Sequence, residues 1–121
     1  MSYEIYKIMH LTGIVLIFSG LMGLLAIRMA GHTAEEKTKS LIFMSHGIGL
    51  LLALVGGFGL LARLGLTRDI PNWVFAKIVI WLVLGGAIAI VKRKGHLGRP
   101  LFLGLIILFI AGAYLAILKP F

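Results

Sequence analysis

The 121-residue chain has no cysteine. That excludes disulfides, thiolate metal sites and redox thiols. No H-x-x-x-H or H-E-x-x-H pattern occurs, so the paired-histidine zinc face of a metallohydrolase is missing. The five methionines are scattered and form no cluster of the kind expected for copper handling. Ten-residue segments of alternating polarity are absent, which excludes a transmembrane barrel. The opening "MSYEIYK" carries an acid before its only base, and no A-x-A pattern follows the first apolar run. That run reads as retained and not as a cleaved signal.

What is present is apolar, and it is blocked into runs. Sixty per cent of the residues are hydrophobic, and the mean hydropathy is +1.08. A soluble domain rarely exceeds half. Residues 8–27 contain one ionisable group, His10; residues 41–62 contain one, His46; residues 73–91 contain one, Lys77; residues 101–118 contain no acid, base or histidine. A helix needs about 20 apolar residues to cross a bilayer core. The runs predict an all-α membrane protein, an antiparallel four-helix transmembrane bundle in a single domain, with spans near 5–28, 38–63, 71–92 and 100–118.

The joints carry punctuation. Gly31 is placed to cap the first helix. "TAEE" at Thr33–Glu36 reads as a capping box for the second. Gly65 ends that helix, and Asp69 with Pro71 is expected to open the third. Gly95, Gly98 and Pro100 divide the third from the fourth. Loops this short join antiparallel neighbours.

Twelve Lys and Arg against four Asp and Glu give a net charge of +8. The bases flank the spans, so they are read as partners of anionic headgroups and not of nucleic acid. Seven (Arg28, Lys37, Lys39, Lys92, Arg93, Lys94, Arg99) fall on the side of loops one and three. Four (Lys7, Arg63, Arg68, Lys119) fall on the side of the termini and loop two. The positive-inside rule places the seven in the cytoplasm and both termini outside, the periplasmic side of a bacterial inner membrane. Arg28 is expected near the headgroups, pairing with Glu35 or Glu36 or with lipid phosphate.

One sentence is written twice. "HLTGIVLIFSGLMGLLA" from His10 and "HGIGLLLALVGGFGLLA" from His46 agree at eight of seventeen positions. Antiparallel neighbours turn a tandem repeat into an inverted one. His10, Gly13, Ile17 and Gly20 share a helix face, as do His46, Gly49, Ala53 and Gly56. Pairing residues that sum to about 68 brings Gly56 and Gly59 near His10, and Gly20 and Gly23 near His46. Glycine stripes let membrane helices approach closely, with histidines as interhelical donors. Glycine beside histidine also leaves a flat slot, and histidine is the usual axial ligand of haem. The two histidines lie roughly 18 Å apart along the bundle, from about twelve residues at 1.5 Å rise. They cannot share one metal.

The same register arithmetic, carried through the later loops, sets Lys77 and Tyr114 level with His10. His10, Lys77 and Tyr114 form the candidate site, with His10 as ligand to a haem iron. His46 is a second site or a packing residue. Lys77 either snorkels to the interface or serves the site. Trp73 reads as an interface anchor, and Trp81 flanks Lys77 on the other side.

The stretches "IYKIMHLTGIVLIFSGLMGLLAIR", "SHGIGLLLALVGGFGL" and "NWVFAKIVIWLVLGGAIAI" resemble the SirB family of small bacterial membrane proteins. The matching positions are His10, Arg28, His46, Ala76–Lys77 and Leu84–Gly85. More distantly the chain is similar to HemJ-type protoporphyrinogen oxidases and to CopD copper-resistance membrane domains, and it is shorter than the HemJ-type enzymes. The HemJ-type resemblance implies haem b on a first-helix histidine, here His10, and a third-helix lysine needed for activity, here Lys77. Two functions of different class follow. One is a haem b or porphyrin-binding redox protein. The other is an accessory subunit that packs its glycine faces into a larger membrane complex or a homo-oligomer and holds no cofactor of its own.

Overall fold

The computed structural model describes residues 2–120. Their helices are α1 (Tyr3–Met29), α2 (Glu36–Arg63), α3 (Asn72–Lys94) and α4 (Arg99–Leu118), with a 3-10 turn at Gly95–Leu97 between the last two. No strand occurs among the described residues. All four helices are long and apolar enough to cross a membrane. At 1.5 Å per residue the 20 residues of α4 span about 30 Å, one hydrocarbon core, and α1 and α2 exceed it.

Local chemistry explains most of the ends. Ser2 caps α1 by accepting from the Ile5 N–H at 3.3 Å. Gly31 follows α1 at φ +81°, and the His32 N–H bonds the Ile27 carbonyl at 3.1 Å. Gly65 ends α2 the same way at φ +73°, with Leu66 N–H on the Leu61 carbonyl at 3.0 Å. Both closures need the left-handed conformation that glycine takes at no steric cost. Two starts differ from expectation. The cap of α2 is Glu35, which makes no side-chain cap bond and accepts from the Thr38 hydroxyl at 3.4 Å, so no Thr33–Glu36 box forms. The cap of α3 is Pro71 at ψ 152°, not Asp69, because the helix begins one residue beyond the ring.

The core draws on all four helices: Ile17, Leu21, Leu24 and Leu25 of α1, Ile42 and Ala53 of α2, Leu84, Ala87, Ile88 and Val91 of α3, and Leu105 of α4. The outward faces are apolar too. Leu41, Leu51, Val79, Leu82, Ile107 and Ile117 are all exposed. Water does not tolerate apolar surface of that extent, and lipid does.

The tightest seam joins α1 and α2, and it is glycine on both sides. A Cβ on Gly13 would lie 2.7 Å from the Gly49 carbonyl oxygen; one on Gly49 would lie 2.7 Å from both the Gly13 carbonyl oxygen and the Ile17 nitrogen. A Cβ on Gly56 would lie 2.6 Å from the His10 nitrogen, and one on Gly20 would lie 3.2 Å from the His46 Cβ. The next glycines along, Gly23 and Gly59, meet Ile42 and Tyr6. Backbone approach this close is open only to residues without a side chain. Two polar clasps then tie α2 to α3. His46 Nε2–H donates to the Leu84 carbonyl, and Trp81 Nε1–H donates to the Leu50 carbonyl, each at 3.0 Å.

Candidate functional site

His10 lies two turns into α1, where Gly56 and Gly57 of α2 open room for it. Gly56 admits its backbone. Gly57 floors its ring, for a Cβ there would lie 3.4 Å from the ring Cε1 and Nδ1. His10 Nδ1–H donates to the Ala53 carbonyl at 2.8 Å. A carbonyl can only accept, so the proton sits on Nδ1 and the neutral ring carries its lone pair on Nε2. That Nε2 is buried and has no hydrogen-bond partner. A metal-ligating histidine is typically held this way, one ring nitrogen donating to a backbone carbonyl and the other left free as a base.

The ring borders a half-enclosed cleft of about 550 Å³, within the range of small-molecule sites. Phe18 and Phe109 meet edge to face on its wall, with centroids 5.6 Å apart. Trp73 and Trp81 line it as well. The Leu50 carbonyl fixes Trp81 by its indole N–H. The polar side chains of the lining are Tyr3, His10, Lys7, Lys77 and Lys119, and no Asp or Glu belongs to it.

His10 and Lys77 therefore share one cavity. His46 and Tyr114 lie outside it. His46 is 4% exposed, packed against Gly20 and bonded to Leu84. Tyr114 is 50% exposed. The fourth helix turns Gly112, Ala113, Ala116 and Ile117 to the cleft. Register arithmetic fixes the depth of Tyr114 but not its rotation about the helix axis, and a residue one or two places from the lining positions points elsewhere.

Arg28 takes a different place from the expected acidic pairing. Gly95 packs on its stem, where a Cβ would lie 2.6 Å from the Arg28 Cβ, and its Nε is buried without a partner.

Gly57, Lys7 and Lys119 also line the cleft, the two lysines being expected only as bases flanking the spans. A signal for Lys119 existed. Residues of α3 and α4 at equal depth sum to about 192, which sets Lys119 level with Trp73. Its ammonium lies 5.4 Å from the centre of that ring.

Among the described residues no three His, Asp or Glu side chains converge to hold a metal. A bare ion would lack a ligand set here. An iron that brings its own macrocycle needs only axial ligands, and His10 can be one. No family model matches the chain, and no curated protein or solved structure matches it.

Proposed function

We propose that this protein is a membrane redox protein that holds haem b, or a closely related iron porphyrin, on His10. The observation that carries the reading is the buried Nε2 lone pair, left without a partner while Ala53 holds the opposite nitrogen. An unpaired buried acceptor costs about 1–3 kcal/mol. A ligand recovers that energy. The cleft fits the group in other respects. Its volume suits a large planar molecule, its walls are aromatic and aliphatic, and its lysines can meet acidic substituents. When bound, the iron would supply one-electron transfer.

The chain's own residues have separable tasks. Ala53 orients the imidazole through its carbonyl. Gly56 and Gly57 keep the ring at its depth. Phe18, Phe109 and Trp81 exclude water from the ring face. Lys77 places a cationic group in the same cavity. His46 locks α2 to α3 and takes no part in ligation.

The surrounding frame in this reading is an antiparallel bundle in a bacterial inner membrane, with α1 and α2 as an inverted repeat and both termini on the periplasmic side. The support is the seam, whose contacts fall on Gly56 with His10, Gly13 with Ala53, and Gly20 with His46, three pairs that each sum to 66. The seven-to-four distribution of bases supports the orientation. A C-terminal alkaline phosphatase fusion should be active and a C-terminal fluorescent-protein fusion dark; the reverse pattern overturns the orientation. The HemJ-type resemblance, which implies haem b on His10 and a needed lysine at Lys77, points the same way.

The test is the optical spectrum of the full chain purified in detergent with haem supplied. A Soret band that moves on reduction supports the proposal. A colourless protein contradicts it and leaves the accessory-subunit reading.

A further inference from the structure

Three lysines line a cleft that, among the described residues, has no Asp or Glu in its lining. They are gathered at one end. Lys7 is the fifth residue of α1, Lys77 the sixth of α3, and Lys119 follows the last residue of α4. The ammonium of Lys119 rests over Trp73, and that of Lys7 lies 5.9 Å from the centre of the Tyr3 ring. Aromatic faces hold these two groups at the mouth where carboxylates would ordinarily do so. His10 is about one turn deeper than Lys7, and beyond it the lining is apolar: Ile17, Phe18, Ile80, Leu84 and Phe109. Like charges grouped beside a low-dielectric cavity repel one another unless an anion joins them.

We infer that the cleft selects a ligand with a flat apolar body and at least two acidic groups on one edge, the acids held by Lys7, Lys77 and Lys119 and the body buried past His10. The inference rests on the proposed cofactor site and adds its specificity. The lysines recognise a dicarboxylate, independently of the iron. A neutral molecule of the same shape leaves the three lysines uncompensated and binds less well.

The molecule contains its own reporter. Trp73 and Trp81 are its only tryptophans, and both line the cleft. Metal-free protoporphyrin IX is the probe, because His10 has no iron to ligate in it. The full chain in non-ionic detergent is titrated with protoporphyrin IX and with its dimethyl ester, and quenching is corrected with free tryptophan amide in the same micelles. The diacid should bind at least tenfold more tightly than the ester (roughly one charge-assisted contact). Lys7→Gln with Lys119→Gln should remove that preference. Both side chains are exposed, so the double variant should keep the unfolding midpoint of the parent. Equal binding of diacid and ester, or an unchanged preference in the double variant, overturns the inference. The iron reading fails separately. If the diacid is preferred while the Soret band ignores His10→Ala, the lysine selectivity stands and the ligation falls. If the Soret band depends on His10 while diacid and ester bind alike, the reverse holds.

Discussion

Replacing Gly56 with alanine adds one methyl group to the α1–α2 seam, and its consequence can be worked through. The new Cβ would sit 2.6 Å from the His10 nitrogen, 2.9 Å from the His10 Cα and 2.9 Å from the Tyr6 carbonyl oxygen. All three are backbone atoms, so no side-chain rotation relieves the contact. Normal van der Waals separation is about 3.5–4 Å, so α1 must retreat by roughly 1 Å. Overpacking of this kind costs about 1–3 kcal/mol. Alanine is also the better helix former by up to about 1 kcal/mol, which obscures the cost in a single variant. Gly86→Ala and Gly104→Ala serve as references, because a Cβ at either position meets nothing within 4 Å. The propensity gain is common to all three and cancels in the comparison. Unfolding by increasing dodecyl sulfate in mixed micelles, followed by circular dichroism, should place Gly56→Ala about 1–3 kcal/mol below both references. Two of the three atoms struck belong to His10, so the 2.8 Å bond to Ala53 should lengthen and haem affinity should fall together with stability. A Gly56→Ala protein as stable as the two references would refute the close-approach account of the seam.

Other consequences are simpler. His46→Ala removes a buried ring and its bond to Leu84, so it should destabilise by about 2–4 kcal/mol in the same titration while leaving the cleft spectrum unchanged; a spectral change would move the site to the other histidine. Acidification should bleach the Soret band, because protons compete for the Nε2 lone pair and only the neutral imidazole ligates. The band should return on neutralisation, and a band indifferent to acid down to unfolding would argue against histidine ligation.

Much of this could be read from the chain, and the parts that could not have physical causes. The four helices, each long and apolar enough to cross a membrane, follow from run length, because a crossing backbone must satisfy itself as a helix of about 20 apolar residues. Gly31 and Gly65 announced their positive φ by standing just past an apolar run. The seam was legible because glycine and histidine recur at helical spacing, so Gly13, Gly20, Gly49 and Gly56 share faces with the histidines. Rotation was not legible. Tyr114 falls outside the cleft lining, because a helix as uniformly apolar as α4 gives no sign in its sequence of which side faces inward. Lys7 and Lys119 were read only as topological charges at helix ends. Their proximity to Lys77 depends on the ends of three helices meeting, which no local pattern encodes. Asp69 was displaced as a cap by the residue two places later, because proline both opens a helix and fixes the extended backbone before it.

The central claim is that the unpartnered His10 Nε2 is an axial ligand to haem iron. The most direct measurement compares the reduced-minus-oxidised spectra of the wild-type chain, His10→Ala and His46→Ala, each purified in detergent with haem supplied. The account predicts a Soret difference band in the wild type and in His46→Ala, and none in His10→Ala at equal protein concentration. A band of full height in His10→Ala, or its loss in His46→Ala alone, would contradict it.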